Sequence, residues 1–182
     1  FGYACMNMQL ANPEKYKINI DEKVICNRSM IKKTFLKKGT IYASKLALKN
    51  SCDLIKILKW NKKNDFSFFR ITSDLFPWSS EYKLNELPDY QEIKDNFYQI
   101  GKYVKLHKMR ITAHPGPFNV LTSKNPQVVD NCINDLSIHG EIFDMMQLSR
   151  TPFNKINIHI GGVYGDKNSA MKRFCENFNR LP

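Results

Sequence analysis

Little in the sequence would staple the chain or anchor it. The five cysteines, Cys5, Cys26, Cys52, Cys132 and Cys175, stand singly with no CxxC pair. That spacing excludes a zinc ribbon and offers no disulfide framework, so reduced, mostly buried thiols are expected. No segment approaches the roughly 18 consecutive apolar residues of a membrane span. The opening FGYACMNMQL lacks the basic start, apolar middle and small-residue cleavage site of a secretory leader. A soluble, intracellular protein without a membrane partner is the expectation. Low-complexity runs are missing too. Acidic residues are scarce, 17 against 28 lysines and arginines, for a formal net charge of +11. The balance favours a polyanionic partner, because phosphates are bound largely through Lys and Arg with release of counterions. Most of the excess is lysine, in a chain crowded with asparagine and isoleucine, and a genome-wide compositional bias produces the same mixture. Charge alone therefore leaves nucleic-acid binding open.

What is present is enough for a core. A chain of 182 residues with 42% apolar content suits one domain, residues 1–182. Four segments have the near-continuous apolar, β-branched and aromatic character of parallel strands covered on both faces: GYACMN (2–7), FSFFRITSD (66–74), MRITAH (109–114) and KINIHIGG (155–162). Each precedes a helical pattern. Leu46, Leu54, Ile55 and Leu58 recur at helical spacing in residues 40–64, and Ile93, Phe97, Ile100 and Val104 do so in 87–108. In 125–148 the stripe is Val128, Val129, Ile133, Leu136, Ile142 and Met146. In 165–181 Asp166 is the expected N-cap, with Met171, Phe174 and Phe178 inward.

Four β-loop-α units call for an α/β fold with a parallel sheet and right-handed crossovers. A TIM (β/α)8 barrel takes about 250 residues, so these four units are half of one. A half-barrel leaves two edge strands open. The expectation is the N-terminal part of a longer barrel, or a homodimer through the open edges. One local charge cluster stands out, NRSMIKKTFLKKG (27–39), with Arg28, Lys32, Lys33, Lys37 and Lys38 among Met30, Ile31, Phe35 and Leu36. It is either an amphipathic first turn or loop with a solvated face, or a phosphate-contacting patch.

Reactive groups of a parallel barrel sit at the carboxyl ends of its strands. Those ends carry Asn7, then Ser73 and Asp74, then His114, with His159 near the fourth. Two imidazoles and an acidic group converging on one mouth suit a zinc, manganese or iron ion, although either histidine taken alone is more often a structural hydrogen-bonding group than a ligand. His107 is expected at a helix end as a cap or surface group, and His139 within a helix as a packing residue. GGVYGDK (161–167) sets three glycines before a helix, where backbone N–H groups accept phosphate or where strand and helix merely pack closely. DLFPWSSEY (74–82) places Phe76, Trp78 and Tyr82 beside Asp74 and Glu81, an aromatic surface for a base or sugar ring, or the means of burying a long loop.

Taken in order, GYACMN, NRSM, FFRITSDLFPWSSEY, ITAHPGPF and KINIHIGGVYGDKNSAMKRFCENF resemble the ultraviolet damage endonuclease family over nearly the whole chain. The resemblance implies a metal-dependent DNA repair nuclease on a TIM barrel akin to endonuclease IV. It would act on damaged double-stranded DNA, nicking 5′ to photoproducts and abasic sites. It further implies divalent metal ions, usually manganese, with zinc or magnesium as alternatives. By the same resemblance His114 and His159 are metal ligands, and Glu81 stands about where many relatives carry a third, histidine ligand. Tyr3 and Asn7 match lesion-facing residues, and Lys167 joins the DNA-binding set. After HPG, relatives carry a glutamine and an aromatic that wedge into the duplex; here the positions are Pro117 and Phe118. The family's further ligands are expected beyond Pro182. Two other readings are a metal-dependent sugar phosphate isomerase-like barrel and a non-catalytic DNA-binding or self-associating half.

Overall fold

The computed structural model describes residues 1–182 in full. It is half of a TIM barrel: four parallel strands, β1 (Gly2–Ala4), β2 (Phe68–Ile71), β3 (Arg110–Ala113) and β4 (Lys155–Ile156), in the spatial order of the chain. Short helices α1 (Met8–Ala11) and α2 (Pro13–Tyr16) precede α3 (Lys32–Lys63); α4 (Tyr90–Leu106), α5 (Pro126–Met145) and α6 (Lys167–Phe178) follow β2, β3 and β4. No helix is long and apolar enough to cross a membrane.

Strand alternation divides the sheet into two chemistries. Phe69, Ile71, Ile111 and Ala113 are fully buried, and with Tyr3 and Ile156 they pack against the apolar stripes of α3, α4 and α5. The stripe of α4 is the one its spacing predicts: Ile93, Phe97, Ile100 and Val104 are all buried. The opposite face of the sheet, the inner wall of the half-barrel, carries Arg70, Arg110, Thr112 and Lys155 in register. Helix packing is close enough to require a glycine. A Cβ on Gly101 of α4 would stand 1.8 Å from the Met146 carbonyl oxygen. Gly101→Ala is therefore expected to cost about 1–3 kcal/mol, seen as a lower urea midpoint with an unchanged slope.

All four strands are shorter than their patterns suggest. Cys5 turns left-handed (φ 63) and Asn7 caps α1, which ends β1 after Ala4. Thr72 Oγ1 accepts the Asp74 N–H at 3.1 Å and starts a 3-10 turn, which ends β2. β4 keeps two paired residues plus the bond from Asn157 N–H to the Ala113 carbonyl; residues 158–162 run past the end of β3 at Ala113 and find no ladder partner there. Helix α3 starts at Lys32 rather than near residue 40, and Gly39 (φ 62, ψ −161) breaks it into an arm, residues 32–38, and the cover helix. On α6 only Phe174 of the three expected residues packs inward; Met171 and Phe178 are exposed. This helix is held by polar bonds instead, from Arg173 Nε to the Thr122 carbonyl and from Asn177 Nδ2 to the Leu121 carbonyl.

Candidate functional site

β3 delivers His114 one residue past its end, on the inner-wall side, and the chain after β4 delivers His159 beside it. Their Nε2 atoms are 2.8 Å apart, with ring centroids at 4.5 Å and planes crossed at 72°. Burial, then the neighbouring His159, then Arg70 hold the His114 imidazole below the ordinary histidine value. At neutral pH it is thus uncharged, the form that ligates metals. Two imidazole nitrogens brought this close together could hold a borderline divalent cation. No third histidine, cysteine, aspartate or glutamate is grouped with them, so the pair could supply at most two side-chain ligands of a metal site. Beneath the pair, on neighbouring strands, Arg70 Nε and Thr112 Oγ1 are buried without a hydrogen-bond partner.

The turn after His114 is built to project one side chain. Asn119 Nδ2 donates to Asp135 Oδ2 at 2.8 Å and to the Gly116 carbonyl at 3.2 Å, and the Val120 N–H meets Cys132 Sγ at 3.1 Å. Leu121 is buried against Cys132 and Leu136 of α5. Held at its base, the loop leaves Pro117 in solvent and Phe118 88% exposed. An aromatic side chain that exposed on a tethered loop forgoes the burial that usually justifies it. Phe118 and Pro117 border a groove of about 880 Å³ whose other walls include Met30, Trp78, Glu81 and Asp135.

Glu81 ends a 3-10 turn (Ser79–Glu81) and lies exposed on that groove, away from the histidine pair's group of ligands. Tyr3 faces the helices rather than the inner wall. Its hydroxyl donates to Asn61 Oδ1 of α3 and accepts from Asn7 Nδ2 at 2.7 Å, and burial pushes its pKa up to about 12. Asn7 also caps α1, accepting the Gln9 and Leu10 N–H groups. Tyr3 and Asn7 are thus joined to each other, and their bonds run to α1 and α3 rather than to the histidines.

Of the three glycines in the glycine-rich stretch, Gly162 alone serves close packing. Gly162 has φ +89, and a Cβ there would stand 2.6 Å from Thr122 Oγ1 and 2.9 Å from Val120 Cγ1; the Thr122 hydroxyl donates to the Gly161 carbonyl. The fourth loop is thereby locked to the third. Asp166 caps α6 as its position predicts, accepting the Ser169 N–H at 2.8 Å; hydrogen bonding by the Ser169 side chain, then by its N–H, lowers the Asp166 pKa. Its carboxylate thus occupies part of the helix terminus where a phosphate would bind. Lys167, the first residue of α6, is exposed. His107 ends α4 and packs on Tyr103, and His139 is buried in α5 with Nδ1 2.8 Å from the Asp135 carbonyl. Two inner-wall groups, Arg70 and Thr112, escape a motif-based reading; strand alternation carried through FFRIT and RITAH is the signal that finds them.

Comparison with known proteins adds four findings. A family model described as UV-endonuclease UvdE matches residues 1–182. The UV DNA damage endonuclease of Clostridium perfringens is 37% identical over 155 residues, covering 85% of this chain and 36% of the relative. The UV-damage endonuclease of Schizosaccharomyces pombe is 33% identical over 183 residues, covering 99% and 29%. Among solved structures, the crystal structure of SacUVDE superposes with a TM-score of 0.78 at 28% identity, over the whole of this chain and 56% of that one. The chain thus spans about a third of the length of these curated relatives.

Proposed function

The chain belongs to the UV-endonuclease UvdE family, and we propose that it supplies half of the barrel of a DNA repair endonuclease nicking 5′ to ultraviolet photoproducts and abasic sites. The observation that carries this reading is the convergence of the His114 and His159 Nε2 atoms at the mouth from which the tethered, exposed Phe118 projects. The sugar phosphate isomerase reading gives Phe118 no role within this chain, where the ring is 88% exposed.

His114 and His159 would hold a divalent cation, manganese in the first instance, with zinc or magnesium as the alternatives. Bound there, the ion would supply Lewis acidity: a lowered pKa for a coordinated water and neutralisation of phosphate charge. The chain's own residues do the rest of what is proposed. His114 presents an imidazole whose protonation is disfavoured by burial, then by the neighbouring His159 and by Arg70. Arg70 and Thr112 line the wall beneath with unpartnered polar atoms. Phe118 enters the duplex at the damaged pair, where an aromatic ring replaces the stacking that the lesion has weakened. Pro117 keeps the loop stiff but brings no side-chain hydrogen bond to the orphaned bases.

Nicking of ultraviolet-irradiated plasmid in manganese, by the protein carrying this chain, tests the proposal. Turnover of a small sugar phosphate with no nicking would overturn it. Phe118→Ala isolates the wedge. Because the ring is so exposed, melting should move by no more than about 0.5 kcal/mol. Loss of base stacking worth about 1–3 kcal/mol should weaken binding to a lesion-bearing duplex about tenfold in a fluorescence anisotropy titration. Unchanged affinity would remove Phe118 from the interface.

A further inference from the structure

Between Glu22 and Asp53 the chain carries eight basic residues and no acidic one. The structure separates these cations into two kinds. Arg28 is spent on structure: its Nη2 lies 2.6 Å from Asp53 Oδ2, with the guanidinium nearly buried. Lys32, Lys33 and Lys37 are exposed on the arm and form no ion pair.

The arm is not a loose tail. Trp78 Nε1 donates to the Met30 carbonyl at 2.8 Å, and Phe35 stacks on Trp78 with ring centroids 5.7 Å apart. Asn50 grips the backbone of Arg28 from both sides, accepting its N–H at 2.9 Å and donating to its carbonyl at 3.0 Å. The arm belongs to the connection that follows β1, so it stands at the carboxyl end of the sheet with His114 and Phe118. Met30, at its root, lines the groove whose other side is Pro117 and Phe118. Gly39 then turns the chain into the cover helix, which runs toward the far end of the sheet and ends in a second lysine group, Lys59, Lys62 and Lys63.

From this geometry we infer that the arm is a second DNA-contacting surface, in which Lys32, Lys33 and Lys37 bind the backbone phosphates of duplex flanking the lesion. The inference rests on the DNA-binding reading of the mouth and extends it. Phe118 engages the damaged pair, whereas the arm engages any duplex alongside it. Unpaired ammonium groups on a rigid mount bind phosphates by releasing counterions, without regard to base sequence or damage. Lys38 takes less part, because its ammonium sits 4.2 Å from the centre of the Tyr42 ring.

The test is a salt series of anisotropy titrations with a short undamaged duplex, on the protein carrying this chain. It compares wild type, the triple variant Lys32→Gln, Lys33→Gln, Lys37→Gln, and the control triple Lys59→Gln, Lys62→Gln, Lys63→Gln. Removing three phosphate contacts should shrink the slope of log K against log salt by about 2.7 units. The control should keep the wild-type slope, and both variants should melt as wild type does. Equal losses in the two triples would overturn the arm as a site and leave only bulk charge. Unchanged slopes in both, with tight wild-type binding, would overturn the arm while sparing the mouth. A wild type that binds no duplex would overturn the DNA reading and the arm together. Capture by phosphatidylserine vesicles that the arm triple alone abolishes, with its DNA slope intact, would reassign the arm to an anionic membrane surface.

Discussion

His114→Ala is expected to reduce nicking of irradiated plasmid about a thousandfold or more. If the pair holds the proposed cation, loss of one imidazole would remove several kcal/mol of Lewis-acid stabilisation, and about 4 kcal/mol is three factors of ten. The structure also fixes the form of the result. Because the His114 and His159 Nε2 atoms converge within 2.8 Å, either nitrogen alone would leave the proposed cation underligated. His159→Ala and the double variant should therefore be as defective as His114→Ala, the non-additivity of residues that act as a unit. A second readout needs no turnover: manganese titrated calorimetrically into the wild-type protein should give heat that both single variants lose. The half-buried imidazole contributes little to the core, so circular dichroism should be unchanged. Retained nicking in His114→Ala, or undiminished manganese binding, would remove this residue from the ligand set.

The second large effect is on stability and lies away from the mouth. Asp53→Ala should destabilise the fold by about 3–5 kcal/mol, because breaking a buried ion pair strands the surviving charge. Asp53 is 2% exposed. It receives Arg28 Nη2 at 2.6 Å, Lys56 Nζ at 2.9 Å and the Ile25 N–H at 3.4 Å. The Arg28 guanidinium bonds in turn to the Ile25 carbonyl. One carboxylate on α3 thus fastens the segment that leads into the lysine arm. Thermal unfolding should fall by roughly 6–20 °C for a domain of this size. Proteolysis near residues 25–31 should rise before the core opens, since the fastening is local. A melting point within about 1 °C of wild type would show that Arg28 finds another partner without cost. The double variant Asp53→Ala, Arg28→Met separates the two effects, because it removes the stranded charge and should recover part of the loss.

Local patterns made the elements legible and left their ends illegible. The apolar stripe of α4 and the Asp166 cap are properties of a few neighbouring residues, and both appear where spacing places them. Strand lengths failed because pairing needs a partner strand. KINIHIGG has the composition of an eight-residue strand, yet only Lys155 and Ile156 join the ladder. Phe178 and Met171 failed for a related reason: α6 beyond a two-residue edge strand has less sheet to bury them against. The GGVYGDK turn suits anion binding by composition, and only the contact of Gly162 with Thr122 and Val120 reveals close packing of loops.

By itself the sequence determined the α/β class, the four repeated units, the family resemblance and the histidines at the strand ends, because periodicity and motif spacing are one-dimensional quantities. Only the tertiary structure decided which of those residues meet. It brought His114 and His159 together across 45 residues, tied Tyr3 to a helix instead, left Glu81 on the groove, and divided one basic run into a buried Arg28 and an exposed lysine arm. The reason is that contact and burial depend on which elements pack side by side, and chain separation does not encode that.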